Sequence, residues 1–270
     1  MSASGFEPVT VPRLAALKRE GRKIAAMTAY DASFARAMDE AGMDIVLVGD
    51  SLGHVVQGRR STVPVTLEDM AYHTRCVARA ISRPLLMADL PFLSFQGSAD
   101  RALADAGVLM RAGAHMVKGE GAGPFAANAA YLAARGVPVC GHIGLTPQFV
   151  HSLGGYRVQG RGAHGARLLA EAKELADAGI SLLVLEAVPA ALAAEISAAV
   201  TVPTIGIGAG PSCDGQVLVM HDALGMGPRR PRFVRDFLAG QGGIVAALSA
   251  YVEAVRQGTF PAAQESYGDE

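Results

Sequence analysis

The chain has 270 residues, half of them hydrophobic, with 32 glycines, no tryptophan and a formal net charge of −1 at pH 7. That length is ample for a large buried core, and the near-neutral balance gives no global pull toward nucleic acid or an anionic membrane. No apolar run reaches the roughly 18 residues of a membrane helix, and Glu7, Arg13, Lys18 and Arg19 interrupt any signal-peptide pattern at the start of the sequence.

In chain order, TVPRLAALKREG (10–21) reads as a short helix closed by Gly21. Apolar runs then predict strands at 23–28, 44–50, 84–89, 115–120, 138–142, 181–186, 203–207 and 216–220. Helical patterns alternate with them at 31–42, 67–81, 98–113, 123–136, 166–179 and 189–200, most of them stopping at a glycine. Asp31 is placed to cap the helix that follows it. From Arg232 to about Gln257 the pattern predicts one or two more helices. Strand–helix alternation of this kind predicts a parallel (β/α)8 TIM barrel with a short N-terminal helix, a fold of roughly 250 residues. Residues 1–270 read as one domain, and the polar tail from about 262 is expected to fray.

The cysteines, Cys76, Cys140 and Cys213, lie far apart without metal-ligand spacing. They suit a reducing cytoplasm, and Cys140 reads as a small core residue. The basic run Arg229, Arg230, Arg232 and Arg235 reads as a solvated or oligomer-facing surface rather than an anion contact. His54, His73, His115, His151 and His164 show no partner pattern.

Most strand candidates end in a polar cluster: LVGDS (47–51), MADLP (87–91), VKGEG (117–121), CGHIG (140–144), VLEAVP (184–189), IGIGAG (205–210) and VMHDALG (219–225). In a β/α barrel such tips gather at one rim, where the chemistry lies. With period-two alternation, Asp50, Asp89, Lys118 with Glu120, His142 and Glu186 share the inward face if their strands stay extended. Crowded carboxylates need a cation or protons to coexist. Asp50 and Asp89 come from consecutive strands and suit Mg²⁺, which often takes one or two carboxylates and completes its shell with water or substrate. The plainer alternative is that these acids cap helices or pair with Lys118 and nearby arginines. Lys118 would form a Schiff base, hold a substrate carboxylate, or simply pair with Glu120. Glu186 follows the apolar run LLVL, where partial burial suits a base. His142 would donate to a developing oxyanion or be a satisfied core histidine. His221 and Asp222 read as structural, and GIGAG (206–210) as close backbone packing rather than a phosphate loop.

Ten segments in one order, among them MTAYDASFA (27–35), LVGDSLG (47–53), MADLPF (87–92), MRAGAHMVKGEG (110–121), VPVCGHIGLTPQ (137–148) and DGQVLVMHDALG (214–225), resemble the ketopantoate hydroxymethyltransferase family of the phosphoenolpyruvate/pyruvate superfamily. The resemblance implies Mg²⁺-dependent, aldol-type hydroxymethyl transfer from 5,10-methylenetetrahydrofolate to 3-methyl-2-oxobutanoate. It implies Asp50 and Asp89 as metal ligands that also meet the substrate, and Glu120 at the metal or its bound water. It further implies Ser51 and Lys118 at the keto acid's carboxylate, His142 beside the substrate, Glu186 as the base, and a homo-oligomer, a decamer. Two positions depart from the family pattern. Gly119 replaces a larger apolar residue, which would loosen packing, and Arg60 replaces an acidic one. The competing readings are a Mg²⁺-dependent α-keto acid lyase or mutase of the same superfamily, and a non-enzymatic barrel.

Overall fold

The computed structural model describes residues 7–227 and 231–268. Eight parallel strands form a closed barrel in sequence order. They are β1 (Ile24–Thr28), β2 (Ile45–Val48), β3 (Leu85–Asp89), β4 (Met116–Glu120), β5 (Val139–Gly144), β6 (Leu182–Glu186), β7 (Thr204–Ile207) and β8 (Gly215–Leu218). Their sequences are near-continuous apolar runs because helices cover the outer face and side chains fill the inner one. The (β/α)8 expectation holds, with strand ends within a few residues of those read from the sequence.

Local signals account for the helix boundaries. Asp31 accepts from the amides of Ser33 and Phe34 and starts the helix Ala32–Glu40. Thr66 and Asp69 cap each other at the start of Leu67–Ala78. Gly21, Gly42, Gly113, Gly136 and Gly179 follow helix ends with positive φ, the conformation that glycine adopts without strain. The barrel seam between β1 and β8 is tied from outside, where the Tyr251 hydroxyl lies 2.9 Å from both Ala26 O and Gln216 O.

The expectation of one or two helices in the C-terminal part is met by one. One helix, Ile244–Arg256, forms there, and 231–243 is irregular; Gly240, Gly242 and Gly243 precede the helix and weaken any helical start. An ion pair ties the tail at Glu265 to Arg235. Glu265 is buried in a short turn of helix and takes Arg235 Nε and Nη2 at 2.7 Å each, a fork geometry that orders both chains. Arg235 is therefore a tail anchor rather than a solvated surface residue. Arg229 and Arg230 lie outside the described residues.

Candidate active site

The carboxyl ends of the strands open into a cavity of about 520 Å³, lined by Asp50, Ser51, Asp89, Lys118, Glu120, His142 and Glu186. The alternation argument thus holds, and every site residue expected from the sequence meets the others at one rim. Asp50 and Ser51 follow β2 directly, past Gly49. A side chain at Gly49 would crowd Ser51 Oγ at 2.8 Å and Asp89 Oδ2 at 3.5 Å, so glycine there leaves the acids room.

Asp89, at the end of β3, holds the Asp50 backbone by accepting a hydrogen bond from its N–H at Oδ2 (3.0 Å). Its other oxygen, Oδ1, lies 2.9 Å from Lys118 Nζ. That is an ion pair by distance, but its angle is too poor for a hydrogen bond, and Oδ1 has no hydrogen-bond partner. The lysine's partner is therefore Asp89 rather than Glu120. Burial opposes its charge, yet Asp89, Glu120 and Asp50 outweigh burial and raise its pKa above the ordinary lysine value. A lysine held as an ammonium suits a substrate carboxylate better than Schiff-base chemistry.

Glu120 accepts from the Gln148 amide (2.9 Å) and lies 3.4 Å from His142 Nδ1. His142 Nε2 lies 3.2 Å from Glu186 Oε2, at an angle outside hydrogen-bond range. Burial and Lys118 press the imidazole toward its neutral form, but Glu120 and Glu186 outweigh them and its pKa is pushed up to about 9. His142 is accordingly a proton donor between two acids rather than a satisfied core histidine. Glu186 keeps 17 % of its side chain exposed, facing the cavity. The next residue, Ala187, has φ +48°, a strained conformation for an L residue, of the kind that clusters at functional sites.

Burial first, then Asp89 and Glu120, push the Asp50 carboxyl up to about 8. Four carboxyl groups face two cationic side chains in a buried floor, and one more cation would let all four ionise together. Among the described residues, no three His, Cys, Asp or Glu side chains converge as a ready-made metal cage. Two carboxylates with an unbonded oxygen, beside open cavity, nevertheless fit a Mg²⁺ that completes its shell with water and substrate.

Several contributors were not visible from sequence. Gln148, buried after β5, bridges the Asp50 and Glu120 carboxylates; it closes the quoted motif GLTPQ, but only the fold brings it to the acids. Tyr30 OH pairs with Ser51 Oγ (2.9 Å), and His221, packed on Tyr30, keeps a structural place outside the cavity lining. Asp222, expected to be structural, does line the cavity. Partners also emerge for histidines that showed none: His54 meets Tyr156 OH at 3.1 Å, His73 meets Tyr30 O at 2.7 Å, and His115 accepts from the Leu86 amide. Cys140 is fully buried, as expected of a core residue. In GIGAG, Gly208 and Gly210 pass close to Phe233, Tyr267 and Ala190, which supports the packing reading. Arg60 is exposed and outside the cavity.

Gly119 corrects the expectation of loosened packing. A Cβ there would lie 2.5 Å from Phe125 Cζ, so the Phe125 ring occupies the space of the missing side chain. That ring packs edge-on against Phe95, with centroids 5.0 Å apart.

A family model described as ketopantoate hydroxymethyltransferase matches residues 8–263. A 3-methyl-2-oxobutanoate hydroxymethyltransferase of Thiobacillus denitrificans is 57% identical over 96% of this chain and 100% of its own length. One from Xanthomonas euvesicatoria pv. vesicatoria is 59% identical over 98% of each chain. Among solved structures, phosphonopyruvate hydrolase superposes with TM-score 0.62 at 15% identity, over 80% of this chain and 83% of its own. For 2,3-dimethylmalate lyase the TM-score is 0.58 at 16% identity, over 80% and 82%. Identities this low carry the barrel fold alone.

Proposed function

The chain belongs to the ketopantoate hydroxymethyltransferase family, and on that premise we propose that this hydroxymethyltransferase moves a one-carbon unit from 5,10-methylenetetrahydrofolate to 3-methyl-2-oxobutanoate with Mg²⁺ as its cofactor, giving 2-dehydropantoate. The observation that carries the reading is the buried rim cluster in which Lys118 stands between Asp89 and His142 while His142 reaches Glu186. Membership at this identity weighs against the lyase, mutase and non-enzymatic readings.

Asp50 and Asp89 would hold the Mg²⁺, with Glu120 beside it or on its bound water. The ion supplies Lewis-acid polarisation of the keto oxygen when bound. Lys118, as an ammonium, and Ser51, oriented by Tyr30, receive the substrate carboxylate. Glu186 takes the C3 proton; the C–H electron pair moves into the enolate, whose oxygen gains the charge. His142, with its raised pKa, donates toward that charge. Both carbon–nitrogen bonds of the donor's methylene break. Water adds to that carbon as the first opens, the second breaks to free it as an aldehyde, and the enolate carbon bonds to it. The proton from Glu186 and one from water end on the two released nitrogens, and the remaining water proton ends on the hydroxyl. The three free thiols support a cytoplasmic setting, and the family reading carries a homo-oligomer, a decamer, which analytical ultracentrifugation tests.

The test is C3 hydrogen–deuterium exchange of 3-methyl-2-oxobutanoate by NMR, with and without Mg²⁺, followed by 5,10-methylenetetrahydrofolate. Metal-dependent exchange that turns into 2-dehydropantoate on adding the folate is the expected result. A folded, Mg²⁺-supplied protein that exchanges nothing would overturn the enolisation step.

A further inference from the structure

The floor of the cavity is acidic, and its mouth is built from different chemistry. Tyr156 and Arg157 stand on one side, in the segment after β5, and Phe233 and Tyr267 come from the C-terminal part of the chain. Phe233 and Tyr267 pack edge to face, with centroids 6.3 Å apart. Both rings rest on Gly208, whose φ is +63° and where a Cβ would sit 2.8 Å from Phe233 and 3.0 Å from Tyr267. The glycine-rich loop after β7 thus seats the two rings at the rim. Tyr156, which lines the same cavity, is fixed by its bond to His54 Nε2 and by an edge contact with that imidazole.

Cations surround these rings. The Arg232 guanidinium lies 5.8 Å from the Tyr267 ring centre. Arg161 is close enough to Tyr267 to act on its ionisation, which burial raises and both arginines oppose. Arg157 lines the mouth itself. Arg157, Arg161 and Arg232 are exposed, and none has an ion-pair partner among the described residues. Tyr156 lines the same cavity as Asp50, Glu120 and Glu186. The cavity volume of about 520 Å³ is also of the size that encloses a drug-sized ligand, roughly 300–1,000 Å³; a small keto acid leaves much of it open.

We propose that this mouth is the subsite for a flat heteroaromatic ligand with an anionic tail. Tyr156, Phe233 and Tyr267 hold the ring, and Arg157, Arg161 and Arg232 hold the tail. Aromatic faces stack on flat rings, guanidinium groups pair with carboxylates, and the acidic floor below repels the tail, which fixes the ligand's direction. The inference rests on the donor reading above: the ring is the reduced pterin and the tail its glutamate carboxylates.

The test is isothermal titration calorimetry of full-length protein with tetrahydrofolate and with its triglutamate, under anaerobic conditions. Tyr156→Leu and Tyr267→Leu should each weaken binding by about tenfold, within the range of one lost aromatic stacking contact. Tyr267→Phe should retain wild-type affinity, and thermal melts confirm folding of each variant. Arg157→Glu should weaken the triglutamate more than the monoglutamate, because it meets more tail charge. Wild-type affinity in both leucine variants, with wild-type protein still forming product from the folate donor, would overturn the mouth assignment alone. Wild-type protein that neither binds tetrahydrofolate nor forms product would overturn the donor reading, and the subsite with it.

Discussion

The Gln148 side-chain amide donates to the Asp50 carboxylate over 2.9 Å although 98 residues separate the two in sequence. The same Nε2 donates to Leu90 O at 2.9 Å, so both of its hydrogens are committed and the rotamer is locked. Gln148→Ala removes the fixed donor, frees Asp50 to turn and leaves a buried carbonyl unpaired. Mg²⁺ affinity, read by calorimetry, should fall about 10- to 100-fold, the usual loss when a residue that orients a metal ligand is removed. Unchanged affinity would show that Asp50 is oriented without it.

Mg²⁺ should stabilise the fold as well as serve the reaction. Asp50 and Asp89 are buried beside Glu120, and a divalent ion relieves their repulsion. At a hundred times its dissociation constant, a ligand that binds only the folded state adds about 2.7 kcal/mol. A thermal melt should therefore rise with Mg²⁺ and fall back with chelator, and Asp50→Asn with Asp89→Asn should abolish the shift. A Mg²⁺-dependent shift retained in that double variant would move the ion elsewhere.

Glu186 lies 3.2 Å from His142 and keeps part of its surface in the cavity. Glu186→Gln preserves the shape but cannot accept the C3 proton. Exchange at C3 should drop at least about a hundredfold, within the range that general base catalysis contributes, while the Mg²⁺-dependent melt shift persists. Exchange at the wild-type rate would remove Glu186 from the role of base.

Gly119→Val should be costly because Phe125 already fills the space. Overpacking of this kind costs about 1–3 kcal/mol. Denaturant unfolding of Gly119→Val should show that loss, and adding Phe125→Leu should recover part of it. Loss of equal size in both would mean that the ring is not the obstacle.

At the opposite end of the barrel, Asp44 is buried and joins three parts of the chain. It accepts from the Ala25 amide (3.0 Å) and pairs with Arg83 (2.8 Å) and Arg256 (3.2 Å). Asp44→Ala strips two arginines of their shared partner and should cost about 3 kcal/mol in denaturant unfolding, at the low end for a broken buried pair because both arginines retain some solvent. Conservation of stability would make the cluster a surface contact in energetic terms.

Most of the architecture was legible locally. Apolar runs ending in polar tips, helices capped by Asp31 or closed by Gly42, and alternation along MVKGE need only neighbours within a few residues, which is why strand limits and inward faces read correctly. Pairings across the barrel were not legible. Lys118 chooses Asp89 over Glu120 because parallel register sets Asp89 beside it, whereas Glu120 is its own second neighbour along β4. Gln148 reaches Asp50, Arg235 anchors Glu265, and Phe125 fills the space beside Gly119 through contacts made only after the chain closes. Periodicity determined which side chains face inward, since that depends on backbone geometry alone. Which of them touch, and which proton or cation they hold, depends on distances between distant segments, and only the closed barrel decides those.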